Sequence, residues 1–114
     1  RRLLFGVNGW DRSYPGGREI SPGAMPYYCY MVRCANDAFY TGWTTDPLRR
    51  VQEHNAGRGA RYTRMHGPVA LVYVEEVADH SAALKREVQI KRYSHQRKAS
   101  MAQSCVVPEA FLED

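Results

Sequence analysis

Two β-favouring runs stand so close together in this chain that pairing is almost forced on them. Tyr28-Cys29-Tyr30-Met31-Val32-Arg33-Cys34 and Phe39-Tyr40-Thr41-Gly42-Trp43 are rich in aromatic and β-branched side chains, the types that suit a pleated, half-buried surface. Ala35-Asn36-Asp37 between them is turn chemistry, so the spacing predicts an antiparallel hairpin in which Cys34 pairs with Ala38. Side chains alternate across a strand. Tyr28, Tyr30 and Val32 therefore share one face of the first strand, and Tyr40 and Gly42 share one face of the second. In this register Tyr30 and Tyr40 lie on the same side, and a slip of one residue would separate them.

The punctuation beyond the hairpin is just as specific. Asp46-Pro47 reads as an N-cap followed by proline at the first helical position. It opens a helix that runs through Leu48 and Val51 to about Asn55 and is ended by Gly57. Gly67-Pro68 bounds the mostly apolar run from Val69 to Glu75, which suits a strand covered on both faces. Asp79 or Ser81 caps a second helix carrying Ala83, Leu84, Val88 and Lys91, and Ser94 caps a third over Gln96 to Met101. The expected fold is α/β (α+β), in the order β-β-α-β-α-α.

Residues 1–26 are rich in Gly and Pro and show no helical or strand period. They are expected to be a flexible leader, or to precede a true start at Met25. The folded unit is expected over residues 27–103, with residues 104–114 as an acidic C-terminal tail. At 44% hydrophobic and 25% charged residues, the chain is neither disordered by composition nor membrane-embedded. No apolar run approaches the roughly 18 residues that span a bilayer, so no membrane partner is expected. Three cysteines without metal-ligand spacing point to reduced thiols and a cytoplasmic location.

The net charge of +4 conceals a block pattern. Residues 47–74 carry five Lys or Arg against one acid, and residues 81–103 carry six against one, while residues 75–80 and 104–114 are each −3. Basic blocks separated by acidic ones suggest a positive face and a polyanionic partner. The competing explanation is a pair of solvated helix faces.

Several residues within the basic blocks can carry chemistry. A cross-strand tyrosine pair is ordinarily packing, at about 0.2–1 kcal/mol. Arg50 and His54, four apart, stack on one helical face at the edge of the Leu48/Val51 stripe. A guanidinium there is suited to gripping a phosphate. The plain alternatives are an exposed helix arginine and a histidine favouring the helix C-terminal dipole. Glu87 is the only acid among residues 81–103 and lies beside the Leu84/Val88 stripe. It either pairs with Lys91 one turn on or ligates a hard divalent cation.

Tyr28-Cys29-Tyr30, Tyr40-Thr41-Gly42, Arg50, His54 and Glu87 together resemble the GIY-YIG nuclease family, most closely its small stand-alone bacterial members. Tyr28-Cys29 stands where the family name has Gly-Ile, and Thr41 where it has Ile. Asp46-Pro47-Leu48-Arg49-Arg50 and Glu87-Val88-Gln89-Ile90-Lys91 also look like this family, and the likeness runs from about Tyr27 to Met101. It implies a small three-stranded antiparallel sheet flanked by helices, and metal-dependent endonuclease cleavage of DNA phosphodiester bonds. By this resemblance Glu87 holds Mg²⁺ (or Mn²⁺), Arg50 offsets charge on the phosphoryl group and Tyr40 positions water or phosphate. Tyr30 activates water directly or through His54 and needs positive surroundings to lower its pKa.

Arg58, Arg61 and Arg64, with Tyr62 among them and Gly57 and Gly59 nearby, form a DNA-contacting loop in the same light. Lys85, Arg86, Lys91 and Arg92 extend its footprint. No element suited to major-groove readout is evident, so branched, flapped or single-stranded DNA is expected over a fixed sequence. The rival is a non-catalytic DNA- or RNA-binding module that retains the nuclease fold.

Overall fold

The computed structural model describes residues 26–112. The leader expected over residues 1–26 lies, apart from Pro26, outside the described residues. Strand β1 spans Tyr27–Arg33 and β2 spans Phe39–Thr44. Helix α1 covers Pro47–Asn55 and a short α2 covers Arg61–Met65. Strand β3 covers Ala70–Val77, α3 His80–Lys91 and α4 His95–Ser104. A 3₁₀ turn follows over Glu109–Phe111.

The three strands form one antiparallel sheet in the order β2-β1-β3. The hairpin register is the expected one: Tyr30 faces Gly42, Val32 faces Tyr40, and the Cys34 amide donates to Ala38 O at 2.8 Å. As the central strand, β1 is buried on both faces. Tyr28, Tyr30 and Val32 pack with Val51, Leu71, Val74 and Phe111 on one side. Cys29 and Met31 pack with Ala83 and Ile90 on the other. Leu71 and Val74, three apart, share the first face because a bulge opposite Met31 and Val32 adds one residue to β3.

The caps explain most of the boundaries. Asp46 accepts from the Arg49 amide, Asp79 from Ala82 and Ser94 from Arg97, so each helix starts where an orphan N–H finds a side-chain oxygen. Gly57 takes φ +82° just past the end of α1, a left-handed turn that costs glycine little.

Three expectations need correction. The stretch expected as a loop contains α2, which has no side-chain cap and is held through its buried Thr63; no local signal marks its start. On α3 the expected Leu84/Val88 stripe faces outward, at 42% and 49% exposure, while Ala83 and Ile90 are fully buried. Ala83 lets the start of the helix sit closely on β1, where the Cys29 thiol donates to Ala83 O at 3.3 Å, and Ile90 fills the space further along. Finally, Phe111, inside the expected acidic tail, is buried edge-on against Tyr28, with ring centroids 5.3 Å apart.

Candidate active site

Tyr30 sits in the middle of the central strand, and its ring crosses the neighbouring edge strand. A Cβ added at Gly42 would stand 2.7 Å from the Tyr30 hydroxyl and 2.9 Å from its Cζ. Glycine at the third position of Tyr40-Thr41-Gly42 is therefore what lets the phenol lie across β2. The hydroxyl meets His54 Nε2 at 2.9 Å, and the Arg50 guanidinium acts on the phenol electrostatically. Arg50 and His54 reach it together because they are one turn apart on α1 and α1 packs on this face. The Tyr40 ring stands edge-on to His54 at 5.4 Å.

Glu87 arrives from the other side of the sheet. It lies on the same side of α3 as Ala83 and Ile90, the residues that seat the helix, and α3 contacts both β1 and the edge strand β2. Its charge reaches both the Cys29 thiol and, as the smallest of the influences on it, the Tyr30 phenol, although α3 and α1 cover opposite faces of the sheet. The Glu87 side chain is 18% exposed and its Oε2 stands 3.5 Å from Lys91 Nζ. The outward phase of Leu84 and Val88 is what turns Glu87 toward the sheet.

The electrostatics overturn one expectation. Burial pushes the Tyr30 phenol up to about 12, the Arg50 guanidinium opposes this, and Tyr40 and Glu87 push it further up. Desolvation outweighs the guanidinium, so Tyr30 is a neutral phenol rather than one with a lowered pKa. Burial, and then the Arg50 charge, push His54 down to about 4 against the opposing pull of Glu53. The imidazole is neutral at pH 7 and can accept a proton at one nitrogen. Arg50 also holds Glu53 at 3.0 Å, an acid beside the site that carries no signal in the sequence.

Residues 26–100 match the GIY-YIG catalytic domain family. The chain belongs to the GIY-YIG family. Among GIY-YIG relatives, the UPF0213 protein HQ_3675A of Haloquadratum walsbyi is 51% identical over 77 residues, 68% of this chain and 86% of its own length. The UPF0213 protein SH2523 of Staphylococcus haemolyticus is 45% identical over 75 residues, covering 66% of this chain and 92% of its own. The solution structure of EF2693 from E. faecalis is 34% identical, covers 74% of this chain and 90% of its own, and superposes with a TM-score of 0.49.

The GIY-YIG family is a nuclease family, so the substrate class is nucleic acid, and its members generally use divalent metals. The donors here suit only one style of metal binding. Among the described residues no group of three or more His, Cys, Asp or Glu could hold an ion. A lone, mostly buried carboxylate fits a hard cation such as Mg²⁺, which keeps water and takes substrate phosphate as further ligands.

Of the nucleic-acid-contacting residues expected from sequence, Arg58, Arg61, Tyr62 and Arg64 are exposed. The Tyr62 ring is tilted against His66 with centroids 4.4 Å apart, and its hydroxyl accepts from Asn36 Nδ2, which ties α2 to the hairpin turn. Lys91 is half exposed beside Glu87. Arg86 is corrected: its guanidinium donates to Glu75 at 2.9 Å and to Gln89 and Tyr93, so it braces α3 against β3. Gly59 is required by its neighbour rather than by nucleic acid, since a Cβ there would overlap His54 Nδ1. Sequence reasoning missed Thr63, whose hydroxyl lies 2.7 Å from that same nitrogen.

Proposed function

We propose that this protein is a divalent-metal-dependent endonuclease that hydrolyses DNA phosphodiester bonds and is guided by DNA structure rather than a fixed sequence. The observation that carries this is the convergence on one phenol of groups from three elements: His54 Nε2 at 2.9 Å and the Arg50 guanidinium from α1, the Tyr40 ring beside His54 from β2, and the charge of Glu87 from α3. A packing tyrosine needs none of them.

In this reading Arg50 binds the scissile phosphate and offsets the charge that grows on its oxygens. A water lies against the Tyr30 hydroxyl and gives a proton to it as Tyr30 passes its own to His54 Nε2. The water oxygen attacks phosphorus and the 3′ oxygen departs. No free tyrosinate forms, which suits a phenol whose pKa is raised to about 12. A phosphate on Arg50 also offsets the positive charge that helps hold His54 down. Tyr40 orients water or phosphate. Glu87 would hold Mg²⁺ or Mn²⁺, which supplies Lewis-acid stabilisation of the phosphoryl and leaving oxygens. Arg58, Arg61, Arg64, Tyr62 and Lys91 bind flanking nucleic acid.

A cleavage panel over branched, flapped and single-stranded DNA, titrated with Mg²⁺ and Mn²⁺, tests this beside Glu87→Ala. Metal-dependent nicking that the substitution abolishes, with binding retained, is the expected result. Cleavage at the wild-type rate by Glu87→Ala would remove the metal assignment. The Lys91–Glu87 pair at 3.5 Å favours a second reading, a binding module whose carboxylate is structural. Salt-sensitive binding of DNA or RNA with no cleavage at any metal concentration would decide for it.

A further inference from the structure

Thr63 is the middle residue of α2 and is 1% exposed, as deeply buried as the His54 it touches. Its hydroxyl lies 2.8 Å from Ala60 O and 2.7 Å from His54 Nδ1. A carbonyl oxygen only accepts, so the single hydroxyl proton of Thr63 is committed to Ala60. The Thr63 oxygen then faces Nδ1 with a lone pair, and the nitrogen must supply the hydrogen. In a neutral imidazole that leaves Nε2 bare, 2.9 Å from the Tyr30 hydroxyl. With Nε2 bare, the Tyr30 hydroxyl is the donor in that contact. Every proton in the chain from Tyr30 to Ala60 therefore points the same way.

We infer that Thr63 is a positioning residue that fixes His54 as the Nδ1–H tautomer, making Nε2 the acceptor for the Tyr30 proton. Which imidazole nitrogen is protonated follows the partner of the other, and here that partner is set by a five-residue helix with no capping signal of its own. The missing side chain of Gly59 lets the loop close over Nδ1, which brings Thr63 within reach. Of the other charged and titratable neighbours of His54, only Tyr30 contacts a ring nitrogen, and its hydroxyl can donate or accept there, so it does not fix the choice by itself. Arg50 and Glu53 act on its overall proton affinity, and Tyr30 and Tyr40 face it from the sheet.

The catalytic consequence rests on the endonuclease reading, whereas the tautomer does not. Long-range ¹H–¹⁵N spectra of the full chain at pH 7 read it directly. Wild type is expected to show Nδ1 protonated and Nε2 bare, Thr63→Ser the same, and Thr63→Val a proton moved to Nε2. In DNA cleavage, Thr63→Val is expected to lower kcat by about 10²-fold at nearly unchanged KM, with Thr63→Ser close to wild type. An Nε2–H wild type, or a Thr63→Val that keeps Nδ1–H, overturns the inference, and the wild-type spectrum decides alone if the valine variant does not fold. A flipped tautomer with unchanged kcat overturns the catalytic role. Tautomers as expected in a protein that cleaves no DNA uphold the positioning and sink only the endonuclease reading.

Discussion

The Tyr30 ring lies across the backbone of Gly42, so close that a methyl group at Gly42 would stand 2.7 Å from the phenolic oxygen. Gly42→Ala is therefore expected to push Tyr30 off His54 Nε2. Overpacking of this kind costs about 1–3 kcal/mol, which urea denaturation measures, and cleavage should fall with it. A variant that keeps both stability and cleavage would show that the position of Tyr30 does not matter.

His54 gives stability a specific pH dependence. Its folded pKa of about 4 lies below the ordinary value near 6.5. The unfolded chain takes up the proton first, so this contribution is complete above pH 6.5 and is lost as pH falls toward 4. Over that window the loss approaches roughly 3 kcal/mol, at ~1.4 kcal/mol per pH unit. The measurement is the difference between wild type and His54→Gln in denaturation midpoint across pH 4–7. Parallel curves would contradict the buried neutral imidazole.

Phe111 belongs to the core although it follows the last long helix. Phe111→Ala is expected to destabilise the domain by about 3 kcal/mol, because it removes the ring packed edge-on against Tyr28. Since Tyr28 is two residues from Tyr30 on the same face, cleavage should weaken as well. Unchanged thermal unfolding would mean that this segment does not hold the sheet.

The exposed arginines around α2 should act through phosphate alone. Arg58→Ala and Arg64→Ala are each expected to flatten the dependence of log affinity on log salt by ~0.9 for duplex and ~0.7 for single strands. Catalysis at saturating substrate should stay near wild type. A change in kcat without a change in salt slope would move these residues into the reacting centre.

The hairpin, its register and the start of α1 were legible in the sequence because each is a local decision. Turn residues 35–37 fix which residues pair, period two fixes that Tyr30 and Tyr40 share a face, and Asp46-Pro47 starts a helix by its own hydrogen bond and ring. The resemblance to the GIY-YIG family pointed to Tyr30, Tyr40, Arg50, His54 and Glu87 as the candidate site. The inferred phase of α3 was wrong because Leu84 and Val88 are the more hydrophobic pair. Only the space above β1 decides that Ala83 and Ile90 face inward and bring Glu87 with them.

What the sequence by itself determined is therefore the set of groups and the local elements that carry them. The tertiary structure decided their protonation and mutual aim. Arg50 as a neighbour suggests a lowered Tyr30 pKa, yet the depth of burial, which no local pattern encodes, outweighs it and reverses the sign. Thr63 is an ordinary threonine in a glycine-flanked basic stretch until α2 folds against α1. It then faces the His54 nitrogen, because hydrogen-bond direction is set by which atoms meet in space and not by their distance along the chain.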